Sequence, residues 1–178
     1  MAVIMRSIHI DAPVARVFAL MTDPAARTRL SPGVTPIQVE IESGAPLRAG
    51  SVCRYRLQAG GRVLDYRMRV LEFEPQRLIV SVSDTQVPFE TRIEFAPEGG
   101  GTRLTQTERL EPTDEMLNQT LPDSGTRSLL RAVYRLFLLE DTDAALRLRQ
   151  RQEDLLARNL GEKMERWLMA IKRHVEQG

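Results

Sequence analysis

The run Leu64-Asp65-Tyr66-Arg67-Met68-Arg69-Val70 alternates apolar and charged residues without a break, and a segment with that period gathers its apolar residues on one face only as a β-strand. The same alternation recurs on either side. Cys53, Tyr55 and Leu57 oppose Val52, Arg54 and Arg56, and Phe89, Thr91, Ile93 and Phe95 oppose Glu90, Arg92 and Glu94. β-rich runs at about 34–42, 50–58, 62–73, 77–84, 88–96 and 102–110 are separated by turn residues, among them Gly44-Ala45-Pro46, Gly60-Gly61, Glu74-Pro75 and Glu98-Gly99-Gly100-Gly101. This is the pattern of an antiparallel meander. Residues 3–10, with Ile4, Ile8 and Ile10 on one side, add a seventh strand. A sheet with one charged face must bury the other, and only helices remain to cover it, so the predicted class is α+β.

The covering helix is legible in the tail. Beyond Pro122 there is no proline, and from 123 onward the glycines are Gly125, Gly161 and Gly178. Leu156, Leu160, Met164, Trp167, Leu168, Ile171 and Val175 form a stripe wide enough to face a sheet. It predicts a helix over 152–176, with the deepest burial at Leu160, Met164, Trp167 and Ile171. An earlier helical segment, about 126–139, presents Leu129, Leu130, Val133, Leu136 and Phe137. Asp141-Thr142-Asp143 reads as a break before a charged stretch carrying Arg147, Arg149, Arg151, Glu153 and Asp154. Residues 113–150 therefore read as a helical insertion or lid within a single domain spanning 1–178, a length that suits one substantial core.

The strand 3–10 runs into Ile10-Asp11-Ala12-Pro13-Val14-Ala15-Arg16-Val17-Phe18 and then Thr22-Asp23-Pro24. Asp11 and Asp23 are each placed to cap a short helix, with Pro13 and Pro24 in first turns that have no N–H to lose. This strand and helical pair resemble the opening of the START-like superfamily, the polyketide cyclase/dehydrase and lipid-transport group also called SRPBCC. The resemblance covers residues 3–112 and the last helix in the same order. It departs at Leu30, where many relatives carry a tryptophan before the Ser-Pro-Gly segment. The resemblance implies a helix-grip fold: a seven-stranded antiparallel sheet wrapped around the long C-terminal helix, two short helices after the first strand, and an apolar cavity between sheet and helix.

Composition narrows the function. With 25 basic and 24 acidic residues the net charge is +1, and no basic stripe with clustered aromatics marks a nucleic-acid surface. Cys53 is the only cysteine, so neither an intrachain disulfide nor a cysteine zinc site can form. His9 and His174 lack metal-ligand spacing, and no metal or other cofactor is expected. His9 reads as an exposed strand residue and His174 as a cation near a helix C-terminus. The N-terminus lacks the pattern of a signal peptide, and the most apolar run, 132–139, contains Arg135 and is shorter than the roughly 20 residues that span a bilayer. A soluble cytoplasmic protein, monomeric or homodimeric, is the expectation. Gly99-Gly100-Gly101 joins two strands and lacks a following Lys-Ser/Thr, so it reads as a hairpin and not a phosphate loop.

Under the helix-grip arrangement, Tyr55, Tyr66, Met68, Phe89, Thr91, Met164 and Trp167 would line the cavity; as single residues each also fits ordinary core packing. In strand 102–110, Gln106 and Glu108 share parity with Leu104 and Leu110. Glu108 then either faces the cavity, where desolvation raises its pKa and makes it usable as a general acid or base, or reaches water or an arginine through a twist or bulge. Three functions stand open. The first is a carrier of a hydrophobic small molecule such as a lipid, polyketide or aromatic metabolite. The second is a cyclase/dehydratase-type enzyme using the same cavity, with Glu108 or a tyrosine as acid/base. The third is an interaction module resembling START-like chaperone ATPase activators. The scarcity of convergent polar residues favours the carrier.

Overall fold

A computed structural model describes residues 1–118 and 142–178. Its elements, in chain order, are β1 (Ala2–Ile10), α1 (Val14–Met21), α2 (Pro24–Arg29), β2 (Val34–Ile41), β3 (Val52–Ala59), β4 (Arg62–Glu74), β5 (Leu78–Ser83), β6 (Phe89–Glu98), β7 (Gly101–Leu110), α3 (Asp114–Asn118) and α4 (Thr142–Gln177). The seven strands form one sheet in the order β1-β7-β6-β5-β4-β3-β2, and every neighbouring pair is antiparallel. β1 and β2 are the two edges, so the pair α1–α2 that joins them carries the chain from one edge to the other. Along the way α1 packs on β6, β7 and α4, and α2 packs on β2.

Hairpins set the register. Ala59 pairs with Arg62 across Gly60-Gly61, and both glycines have positive φ, 54° and 77°. A two-residue turn of that hand matches the right-handed strand twist and is open to glycine at little steric cost. With this register the inner face carries Cys53, Tyr55 and Leu57 from β3, Met68 and Val70 from β4, and Ile93 and Phe95 from β6, all but fully buried. A bulge between Val70 and Glu72 shifts the phase of β4, so that Leu71 is exposed while Phe73 packs on the core.

The two helix starts differ. Asp23 caps α2 as its position suggests, accepting the Ala26 N–H at 2.9 Å, with Pro24 at the start of the helix. Asp11 does not cap α1. Pro13, in an extended conformation, occupies the N-cap position, and no side chain caps this helix. Asp11 lies too early to reach the first turn and instead ties the end of β1 to its surroundings: its backbone N–H donates to Glu176 Oε1 at 2.8 Å and its carboxylate meets His9 Nε2 at 2.9 Å. His9 is accordingly no free surface residue, because its other ring nitrogen lies 3.1 Å from Glu98 Oε2.

α4 is longer than the stripe suggests. It begins at Thr142 and runs 36 residues, so the charged stretch from Arg147 to Asp154 is its first third and not a separate element. Thr142 and Asp143 open the helix where the sequence suggested a break, and no proline interrupts it afterwards. Of the 113–150 segment, the described residues are thus α3 and the start of α4; the helical reading of 126–139 lies outside the described residues. α4 packs on β1, and Gly161 sits against the Arg6 guanidinium, which a Cβ there would meet. Burial is deepest at Leu168 and Ile171, with Met164 and Val175 also buried, whereas Leu160 and Trp167 are only partly buried. Among the described residues, no helix is long and apolar enough to cross a membrane.

Candidate functional site

Leu160 and Trp167 are partly exposed because they border a cavity of about 430 Å³ between the inner face of the sheet, α2 and α4. Alternation in the strands brings the walls together. β3 and β4 contribute Tyr55, Tyr66 and Met68, β6 contributes Phe89 and Thr91, β7 contributes Gln106 and Glu108, and α4 contributes Met164 and Trp167. All nine residues proposed from the sequence lie on this one cavity. Its volume is within the range of about 300–1,000 Å³ usual for small-molecule sites.

Aromatic packing shapes the sheet side. Tyr55 and Tyr66 are directly opposite in register, and their rings stack with centroids 5.3 Å apart and planes 11° from parallel. Phe89 meets Tyr66 edge-on at 6.0 Å. Burial pushes the Tyr66 phenol above its ordinary pKa, reinforced by Tyr55 and opposed by Arg27, so this ring stays neutral at physiological pH.

Two polar poles flank these rings. At one, Gln106 Nε2 donates to Glu108 Oε1 at 2.9 Å. Burial pushes the Glu108 carboxyl above the ordinary glutamate value, and the Gln106 hydrogen bond opposes it without cancelling it. Of the two readings of Glu108, the geometry realises the cavity-facing one. Gln106 Oε1 is buried without a hydrogen-bond partner, an unsatisfied acceptor of the kind protein interiors avoid.

At the other pole stands Arg27, which the sequence reading did not single out. Its Nη2 donates to Tyr55 Oη at 2.7 Å and its Nη1 to the Met21 carbonyl at 3.0 Å. Its own carbonyl accepts the Trp167 indole N–H at 3.2 Å. Arg27 thereby links α2 to β3 and α4. Thr28, Ser31, Ser81 and Lys163 also line the cavity unannounced. Signals for two of them existed: Lys163 falls inside the stripe 160, 163, 164, 167, and Ser81 holds an inward strand position opposite Thr91, where a small side chain leaves room.

A second hollow, about 660 Å³, lies between α1–α2 and strands β2 and β4, with Phe18, Val39, Ile41 and Phe73 in its wall. Its polar side chains are committed elsewhere, Thr22 to the Phe18 carbonyl, Asp23 to the α2 cap and Glu40 to the Gln38 amide, so it lacks convergent donors. Among the described residues, no three His, Cys, Asp or Glu side chains gather as a metal site.

Solved structures share this architecture. The chain is similar to Zhui aromatase/cyclase from Streptomyces sp. R1128, with a TM-score of 0.62 at 14% identity over 98% of this chain and 93% of that one. It is also similar to the protein TTHA0849 from Thermus thermophilus, with a TM-score of 0.60 at 20% identity over 97% and 96%. The Polyketide_cyc-like protein Cgl2372 from Corynebacterium glutamicum superposes with a TM-score of 0.53 at 21% identity over 98% and 91%. No curated protein matches the sequence. At these identities the likeness is one of fold, and it is the helix-grip fold. The family model described as polyketide cyclase / dehydrase and lipid transport matches residues 1–147, and with that match over most of its length the chain belongs to this family.

Proposed function

We propose that this protein binds and carries a hydrophobic small molecule, a lipid, polyketide or aromatic metabolite, in the cavity between sheet and α4. The observation that carries the reading is the cavity itself: Tyr55, Tyr66, Met68, Phe89 and Trp167 supply an apolar wall, and a few polar groups at two ends supply orientation. The family description, which includes lipid transport, supports it. Titration with an apolar fluorescent dye tests it. Wild type is expected to bind, and Met68→Trp, which fills the space opposite α4, is expected to bind at least about tenfold more weakly. Equal binding by both, or by neither, would refute the assignment of this cavity.

A second reading has its own observation. Glu108, whose proton is held more tightly than in water, faces the cavity beside Gln106, an arrangement suited to general acid–base chemistry of the cyclase/dehydratase type. Under that reading Glu108→Gln binds ligand normally and loses turnover of a candidate polyketide substrate. Unchanged turnover would leave the carrier reading alone.

A further inference from the structure

We infer that the ligand is an acid: an apolar molecule with one carboxylate, seated on Arg27. This deepens the carrier reading and rests on it. Besides the phenols of Tyr55 and Tyr66, three ionisable side chains line the cavity, namely Arg27, Lys163 and Glu108. On the outer face of the sheet, arginines hold carboxylates, as in Arg54 with Asp65, Arg67 with Glu42, Arg92 with Glu94 and Arg109 with Glu90. Arg27 holds none. Among the described residues, its side-chain hydrogen bonds go to two neutral oxygens, the Met21 carbonyl and the Tyr55 hydroxyl.

A guanidinium stays protonated and carries five N–H donors in a rigid fork. Two are used, and the other three have no hydrogen-bond partner among the described residues. A cation set in an apolar wall without a counter-charge is electrostatically unfavourable, and an anion that reaches it gains more than it would in water. Tyr55 strengthens the preference, because its oxygen already accepts from Arg27 and its own proton is left to donate.

Glu108 does not fill this role from within. It is bonded to Gln106 at the other pole, and the influences on its carboxyl are burial and Gln106, not Arg27. Neither Arg27 nor Lys163 forms a hydrogen bond or ion pair with it among the described residues, so it is not their counter-charge. Lys163, on the exposed side of the α4 wall, makes no ion pair among the described residues and adds a second positive charge to the lining. A neutral ligand would leave both cations uncompensated; a monocarboxylate answers one directly and the other through space.

The test uses the full chain and a matched pair of probes, cis-parinarate and its methyl ester. Energy transfer from Trp167, the single tryptophan, reports occupancy of this cavity. At pH 8 wild type is expected to bind the acid at least about tenfold more tightly than the ester, the scale of a hydrogen bond to a charged group. Arg27→Gln should remove the preference by weakening the acid alone, and Arg27→Lys should keep part of it. Lys163→Gln, an exposed change that leaves the α2 links intact, should lower acid affinity by a smaller factor. Acid and ester binding wild type equally would overturn the inference while leaving the carrier reading standing. Failure of both probes to bind would overturn both. The wild-type ratio needs no variant, so a poorly folded Arg27→Gln cannot shield the inference.

Discussion

The inner face of the sheet has a packed half and a hollow half under the same helix. Toward the C-terminal end of α4, Leu168 and Ile171 join Ile10, Val17 and Leu104 in a core of aliphatic side chains with almost no accessible surface. Earlier on α4, Leu160, Met164 and Trp167 face Tyr66, Phe89, Gln106 and Glu108 across about 430 Å³ of space. Branched aliphatic residues interdigitate to the density of a crystal. Stacked rings, hydrogen-bonded polar heads and an arginine fork do not, and the space they leave is the cavity. The packed half is where stability is expected to reside, and the hollow half is where the proposed ligand would sit.

The sharpest break of this comparison is a pair of truncations. Ile171→Ala, in the packed half, is expected to destabilise the protein by about 2–5 kcal/mol in urea denaturation. Trp167→Ala is expected to fall below the roughly 3–5 kcal/mol typical of a fully packed tryptophan, because part of its surface already borders open space. If Trp167→Ala proves the more damaging, the hollow half is packed after all.

Next in size is the cap that positions Arg27. Asp23→Ala should cost about 1 kcal/mol, within the usual 0.5–2 for a lost N-cap, and should weaken ligand binding more than its small stability loss explains, since α2 carries Arg27 into the wall. Thermal denaturation alongside dye titration separates the two effects.

The smallest effects are in pH dependence, and they carry opposite signs in the two environments. Glu108 has a folded-state pKa raised by burial, so the folded protein binds this proton more tightly than the unfolded chain does. Stability from Glu108 is therefore full below the ordinary carboxyl value of about 4.3 and is lost as pH rises through the folded value. Glu108→Gln should remove that loss, and superimposable pH–stability curves would place Glu108 in water. On the outer side Glu98 is held low by hydrogen bonds from Arg103 and His9, so its contribution is present above the ordinary value and fades as pH falls. Glu98→Gln should accordingly flatten the acid limb that Glu108→Gln leaves untouched.

Most of this contrast is readable in the chain. Period-two alternation assigned Tyr55, Tyr66, Met68, Phe89 and Thr91 to the inner face because strand parity is rigid between bulges, and β7 has no bulge to reverse Gln106 and Glu108. The depth of burial along α4 was harder to read. Leu160 and Leu168 look alike in a stripe, and only the residues opposite them decide which is sealed. Arg27 was illegible for a related reason: α2 is six residues long, too short for periodicity to mark a face, and its direction comes from tertiary packing on β2. Asp11 misled because its distance from Pro13 resembles a cap, while Pro13 itself takes the N-cap position and the Asp11 carboxylate is held by His9.

Native mass spectrometry of the gently purified chain beside its Met68→Trp form tests most directly whether the hollow half is a ligand site. Wild type should carry a bound organic molecule that dissociates on mild activation, with an ionisable acid among the species released, and Met68→Trp should fly bare at the same folded charge-state distribution. A wild-type protein that remains bare after reconstitution with apolar acids, or a Met68→Trp form that retains the same adduct, would contradict the account.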